Sequence, residues 1–181
     1  MTRAFVLGRR RKGRKIRQVV REVARLLRAA GWKVDTKVVI KKSDLGRRAA
    51  RAVKADCDLV VAVGGDGAVI EVATALAETN VALGIVPTGT GNLLASNLKI
   101  PHRPDAAVRV LVAGQRRRID LGRVTVDGED HAFAVACGVG FDAKVMDATG
   151  TGQKLRWGKP AYRANALGQT GTTPPFHHVI T

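Results

Sequence analysis

In the first part of the chain, apolar runs that predict strands alternate with segments whose apolar residues recur at helical spacing. Continuous apolar runs occupy residues 4–7, 59–63 and 81–86, and residues 34–40 can form a further strand. Such runs are typical of strands that helices cover on both faces. Between the first two strands, the apolar positions recur at helical spacing and predict an amphipathic helix that Gly31 ends. These positions are Ile16, Val19, Val20, Val23, Leu26 and Leu27.

Further helices are predicted after each of the later strands. Ser43 or Asp44 is placed to cap a helix that continues to residue 53. Residues 69–77, 93–98 and 105–113 predict three more helices. Strands and helices therefore alternate, which favours the α/β class with a mostly parallel sheet and helices on both faces.

The pattern changes after Gly114. Residues 118–126 and 131–137 alternate as strands do, and Asp127-Gly128 between them is a hairpin-turn signal. We therefore predict an α/β domain at 1–114 and the start of an antiparallel β-rich domain at 115–181. Cys57 and Cys137 lack metal-type spacing, so both are expected to be buried, reduced thiols.

Two glycine-rich loops follow consecutive strands. Gly64-Gly65-Asp66-Gly67 comes directly after residues 59–63 and precedes a helix. Glycines let the backbone approach a phosphate closely, and the helix N-terminus favours an anion. An aspartate is unfavourable beside bare phosphate, so Asp66 suggests a bridging cation or proton transfer. A tight turn with a capping aspartate is the alternative.

The second loop makes that alternative less attractive. It follows the next strand, and in a parallel sheet both loops emerge at the same carboxyl edge, where ligands bind. Together the loops predict a cradle for an oligophosphate. The residues of the second loop are Pro87, Thr88, Gly89, Thr90, Gly91 and Asn92.

These loops resemble the diacylglycerol kinase catalytic-domain family, which includes bacterial lipid kinases and sphingosine kinases. The family pattern is GGDGT followed by N-E-V, then P-x-GTGN-D-x-A-R. Here residues 64–68 read GGDGA with Glu71 and Val72 after them, and residues 87–95 read PTGTGNLLA. Weaker similarity extends through residues 119–122, 136–143 and 158–162.

The resemblance implies an ATP-binding α/β domain joined to a β-sandwich, with ATP and Mg²⁺ meeting a lipid hydroxyl in the cleft between them. Asp66 would be the catalytic residue, near the phosphates and Mg²⁺ or acting on the hydroxyl, and Glu71 would lie beside the nucleotide. The residues that would hold the nucleotide are Gly64, Gly65, Gly67, Thr88, Gly89, Thr90, Gly91 and Asn92. Catalysis of this type is mostly positioning and charge stabilisation.

Three departures from the family pattern affect this expectation. Ala68 replaces the usual threonine, and residues 8–13 (GRRRKG) replace an N-P-x-S-G turn. The acidic G-D-G-E-like motif that bacterial members have late in the second domain is missing from the 181 residues. We therefore expect the chain to end before its second domain is complete and to show little turnover alone.

Charge is concentrated in one region. Residues 1–54 contain 19 Lys and Arg against three acidic residues, while the whole chain has a net charge of +16. Such a field attracts nucleotide phosphates, nucleic acid or anionic lipid. The predicted first helix has a basic stripe at helical spacing, which is either a solvated face or a contact surface. Its members are Arg17, Arg21, Arg25 and Arg28.

Two alternatives to a lipid kinase stay open at this point. NAD kinases share the GGDG loop, although the loop at residues 87–92 favours the lipid branch. The other alternative is a non-catalytic basic module. Peripheral contact with an anionic membrane suits such a module better than nucleic-acid binding does, because the aromatic residues needed for base stacking make up only 4% of the chain. The lack of a signal sequence or a long apolar segment predicts a cytoplasmic protein, at most peripheral at the inner membrane face.

Overall fold

The computed structural model of the chain describes residues 1–13 and 15–137. Its centre is a four-stranded sheet in which every neighbouring pair is parallel, with the strand order β2-β1-β3-β4. The strands are β1 (Arg3–Arg9), β2 (Lys33–Val39), β3 (Leu59–Gly64) and β4 (Ala82–Pro87). The α/β class with a parallel sheet is therefore confirmed.

Helices cover both faces of this sheet. They are α1 (Ile16–Ala29), α2 (Ser43–Lys54), α3 (Asp66–Leu76), α4 (Leu93–Asn97) and α5 (Pro104–Ala113). Helices α1 and α5 share one apolar core with one face of the sheet. Helices α2, α3 and α4 share the other core. None of the helices in the described ranges is both long and apolar enough to cross a membrane.

Strand β3 shows why the apolar runs are continuous. Val61 and Val63 point into the core below α1 and α5, while Val60 and Ala62 point into the core below α2 and α3. All six residues of the strand are buried. Because successive side chains point to opposite faces, a strand covered on both sides needs apolar residues at every position.

Glycine at position 8 lets α1 approach β1 closely. A Cβ atom there would lie 2.7 Å from Ile16 Cγ2 and 2.8 Å from Val20 Cγ2. Both side chains belong to the buried face of α1. Gly8 is therefore a packing residue of the strand, which continues through Arg9, beyond the predicted residues 4–7.

A short antiparallel hairpin follows the parallel sheet. It consists of β5 (Gly122–Val126) and β6 (Glu129–Phe133). Asp127 and Gly128 both have positive φ angles, 52° and 80°, as the two central residues of a type I′ turn require. The hairpin is confirmed, although β5 begins later and β6 ends earlier than predicted.

The predicted domain boundary at residues 114/115 stays a prediction. The compact unit that contains the sheet extends to Val135, and a second unit covers 136–181. Most of that second unit lies outside the described residues. The same holds for the family-like segments at residues 138–143 and 158–162, and for the sandwich fold expected of them.

Two details of the sequence interpretation were wrong. Helix α2 has no side-chain cap: Ser43 is its first residue, and Lys42 before it already has helical backbone angles. Asp44 instead accepts a hydrogen bond from Arg47, which lowers the pKa of the Asp44 carboxyl. Cys57 is buried as expected, but Cys137 is exposed.

The two thiols should therefore react at different rates. Burial raises the pKa of the Cys57 thiol, so its thiolate, the reactive form, is suppressed as well as shielded. We expect a maleimide to label Cys137 faster than Cys57 by about an order of magnitude or more in the native chain. Mass spectrometry of labelled peptides measures this. In Cys137→Ser the remaining thiol should label slowly until denaturant is added, and equal native rates would contradict the burial of Cys57.

Candidate functional site

The two glycine-rich loops begin side by side at the carboxyl edge of the sheet. Gly64, the last residue of β3, pairs with Pro87, the last residue of β4. Beyond that pair, the Thr88 amide donates a hydrogen bond of 2.9 Å to the Gly64 carbonyl. The parallel register therefore brings the two predicted loops into direct contact.

The loops touch through backbone atoms at two glycines. A Cβ atom on Gly89 would lie 2.5 Å from the Gly65 Cα, and one on Gly65 would lie 2.9 Å from the Gly89 Cα. Real Cβ atoms do not approach this closely, so neither position accepts a side chain without moving a loop. Gly64 is restricted in the same way, because its Cβ would lie 2.5 Å from the Ala68 Cβ.

Asp66 belongs to the first loop, and its carboxylate faces the second loop. It is the first residue of α3, and its Oδ2 would be 3.0 Å from a Cβ atom on Gly91. A side chain at position 91 would therefore meet the carboxylate. The positive end of the α3 dipole stabilises the charge of Asp66, and the first amides of a helix have no intrahelical acceptor. The site thus combines free donors with one carboxylate.

Asn92 holds the second loop in shape. Its Oδ1 accepts a 2.9 Å hydrogen bond from the Gly89 amide, and its Nδ2 donates a 3.0 Å hydrogen bond to the Gly89 carbonyl. Nδ2 also lies 3.3 Å from Nδ1 of His102. The residue is only 3% exposed and has a φ angle of 50°. Its amide is therefore already engaged with the loop, and contact between Asn92 and a nucleotide stays a prediction.

Glu71 is ion-paired to a residue that the sequence analysis missed. Its Oε1 lies 3.0 Å from the Nζ of Lys42. The Cε of Lys42 lies 3.6 Å from where a Cβ on Gly67 would be, so the lysine covers the start of α3. Lys42 follows β2 just as the glycine loops follow β3 and β4. This position after a parallel strand, which Lys42 shares with the glycine loops, was the one sequence signal that could have identified Lys42 as a site residue.

The basic turn after β1 lies at the same edge. Gly8 pairs with Val63, so Arg9 comes next to the first glycine loop. The Arg10 amide donates to the Val39 carbonyl at 2.8 Å, which joins this turn to the end of β2. The Nε atom of Arg9 is buried and has no hydrogen-bond partner among residues 1–13 and 15–137. An anion at this edge would give that group an acceptor.

All ten predicted site residues are at or near this edge. Nine belong to the two loops, and Glu71 is one turn further along α3. Thr90 is exposed, and Thr88 is half-buried. In the part of the chain that the structure describes, no three His, Cys, Asp or Glu side chains gather as a ready-made metal site.

Replacing Asn92 should loosen the second loop. Asn92→Ala removes two hydrogen bonds of about 1 kcal/mol each and places alanine at a positive φ angle, which costs about 1 kcal/mol more. We expect urea unfolding to show a loss of about 2–3 kcal/mol. In Asn92→Gly the backbone angle is tolerated, so its loss should be smaller by about the alanine strain. Two variants of wild-type stability would contradict this role.

Comparison with known proteins agrees with this geometry. The sequence model of the diacylglycerol kinase catalytic domain matches residues 3–124, more than half of the chain. A "probable lipid kinase YegS-like" of Xanthomonas campestris pv. campestris is 34% identical over 163 residues, which cover 87% of this chain and 53% of that protein. A protein of the same name from Klebsiella pneumoniae is 32% identical over 158 residues, covering 86% and 52%. The chain thus spans about half the length of these curated relatives.

Solved structures share the fold. A diacylglycerol kinase from Bacillus anthracis str. Sterne superposes with a TM-score of 0.60 at 20% identity, covering 71% of this chain and 47% of that one. At this identity the similarity establishes the fold. The family match covers the strands, both glycine loops and the start of the hairpin. On these grounds, the chain belongs to the diacylglycerol kinase catalytic-domain family.

Proposed function

We propose that this chain provides the nucleotide-binding part of an ATP-dependent lipid kinase. The observation that supports this most directly is the backbone contact between Gly65 and Gly89, which joins two glycine loops beside the carboxylate of Asp66. Family membership and relatives named as lipid kinases support the same reaction class. The reaction would transfer the terminal phosphoryl group of ATP to a lipid hydroxyl, which forms a new P–O bond, breaks the bond to ADP and releases the hydroxyl proton.

The loops suit a chain of phosphates. The amides at the start of α3 point out of the helix without intrahelical acceptors, and oriented amides of this kind bind anions. The hydroxyl groups of Thr88 and Thr90 add donors from the second loop. The absence of side chains at Gly65 and Gly89 lets the two loops lie in direct contact, so that donors of both loops are brought to one place. These groups would bind and orient the phosphates.

Asp66 suits a role beside Mg²⁺. Kinases usually hold Mg²⁺ through one or two carboxylates together with phosphate oxygens, so a single aspartate among phosphate donors fits that ion. When bound, Mg²⁺ would neutralise charge on the phosphates. Asp66 would alternatively accept the proton of the acceptor hydroxyl. Diacylglycerol or a related lipid is the proposed acceptor, from the names of the relatives.

Nucleotide binding predicts a stabilisation of the chain that depends on Asp66. Ligand at a hundred times its dissociation constant adds about 2.7 kcal/mol to the unfolding free energy. For a chain of this size that corresponds to a rise in Tm of about 5–10 °C. We expect ATP with Mg²⁺ to produce such a rise in a thermal-shift titration, and Asp66→Asn, which keeps the shape of the side chain, to reduce it strongly.

Asp35→Asn is the matched control for that titration. Asp35 is an exposed residue on β2, so the same chemical change there should leave the ATP-dependent shift intact. A wild-type chain whose Tm does not change when ATP and Mg²⁺ are added would contradict the proposal. Phosphate transfer to NAD but not to diacylglycerol, measured with a protein that spans the full length of the relatives, would favour the NAD kinase alternative.

The basic face of α1 supports a further part of the proposal, peripheral contact with an anionic membrane. The apolar face of α1 is buried against the sheet, so its basic residues project away from it. Arg17, Arg21 and Arg25 are exposed, while Arg28 donates a 2.6 Å hydrogen bond to the Val34 carbonyl. A lipid kinase must reach a substrate in a membrane, and a cationic helix face would help it do so.

Replacement of Arg17, Arg21 and Arg25 on α1 should weaken vesicle binding. Each basic residue at an anionic membrane surface contributes about 1 kcal/mol, so replacing Arg17, Arg21 and Arg25 by Gln should reduce partitioning about a hundredfold. Sedimentation with vesicles containing phosphatidylserine measures this, and binding should fall as salt is raised. The control replaces Arg116, Arg117 and Arg118, which are also exposed. Equal loss in both variants would show that only net charge matters and contradict a specific α1 surface.

A further inference from the structure

The position of Lys42 is not explained by a contribution to the stability of the fold. Its ammonium group pairs with Glu71 at 3.0 Å, and the two side chains are 48% and 29% exposed. Exposed pairs of this kind contribute little to stability. The contact joins the start of α2 to the first turns of α3, beside the glycine loop rather than in the core.

The lysine side chain extends over the beginning of α3. Its Cε lies 3.6 Å from the position of a Cβ on Gly67, and Gly67 itself is exposed. At the same helix start, the carboxylate of Asp66 faces Gly91. The first turns of α3 therefore have both an ammonium group and a carboxylate close to them. A phosphate chain with a magnesium ion has the complementary arrangement of charges.

We propose that Lys42 contacts the phosphates of the bound nucleotide and that Glu71 is a positioning residue that holds the ammonium group ready for them. This inference rests on the proposed nucleotide site. It changes the expected role of Glu71 from direct nucleotide contact to orientation of Lys42. A lysine has a compact charge on a flexible four-carbon stem, so Lys42 can keep its contact with Gly67 while its ammonium group turns from Glu71 to a phosphate.

The balance of charges at this edge supports a role for a positively charged residue in binding a phosphate chain. The α3 dipole supplies about half a positive charge, and Asp66 subtracts a full one. The amides and hydroxyl groups of the loops are neutral. Cations at this edge would therefore improve the binding of a polyphosphate. The turn after β1 supplies some of them, and Lys42 is the cation whose side chain lies against the start of α3 in the described part of the chain.

Calorimetric titration of the whole chain with ATP, ADP and AMP, each with Mg²⁺, tests the proposal. Lys42→Met should weaken ATP binding about tenfold or more, as loss of a charge-assisted hydrogen bond does. The loss should shrink from ATP to ADP to AMP, because fewer phosphates are left to contact. Lys42→Arg keeps the charge and should restore most of the affinity.

Lys41→Met is the matched control. Lys41 is the exposed neighbour of Lys42, and the change removes the same charge one residue away. We expect it to alter ATP affinity by no more than about twofold, as for a screened surface charge. Melting curves without nucleotide should be alike for the wild type and both methionine variants, since the ion pair adds little to stability.

The role of Glu71 is tested by a double-mutant cycle. Glu71→Gln should weaken ATP binding in the wild type and have no further effect in Lys42→Met, because Glu71 would act through the lysine. An equal effect of Glu71→Gln in both backgrounds would overturn the positioning role. Equal ATP affinities of Lys42→Met and Lys41→Met, with normal wild-type binding, would overturn the Lys42 contact and leave the nucleotide site standing. A wild-type chain that binds no nucleotide would overturn both.

Discussion

The close approach of the backbone at Gly65 and Gly89 is the constraint on which the site depends. Strands β3 and β4 run parallel and in register up to the pair Gly64–Pro87, so their loops leave the sheet at the same height. Because neither glycine has a Cβ, the backbones of the two loops come into contact. The hydrogen bond between Thr88 and Gly64 and the buried amide of Asn92 then hold that geometry. A side chain at either glycine would separate the loops.

Charge is distributed around this contact in a way that suits phosphoryl transfer. Asp66 lies at the centre, the Lys42–Glu71 pair lies to one side, and the turn after β1 adds further basic residues at the same edge. The exposed arginines of α1 form a separate cationic surface. Binding of a phosphate chain and contact with an anionic membrane are thus proposed for different residues, and substitutions can separate them.

Much of the fold was predictable because it follows from local patterns. Buried parallel strands require unbroken apolar runs, and α1 shows the spacing of a helix with one buried face, so these elements agree to within one or two residues. Errors arose for capping and burial, which residue type alone does not determine. The start of α2 has no side-chain cap although Ser43 and Asp44 stand there, and Cys137 is exposed although its neighbours are apolar. Neither fact is encoded in a short window of sequence.

The sequence by itself determined the α/β class and the family, and it predicted nine loop residues of the candidate site, because glycine loops after buried strands leave a local pattern. Only the tertiary structure decided that Gly65 meets Gly89, that Asp66 faces Gly91, and that Lys42 reaches Glu71. These contacts join residues that are 24, 25 and 29 positions apart in the chain. Their distances depend on strand register and helix packing, which are set by the whole core rather than by any local run of residues.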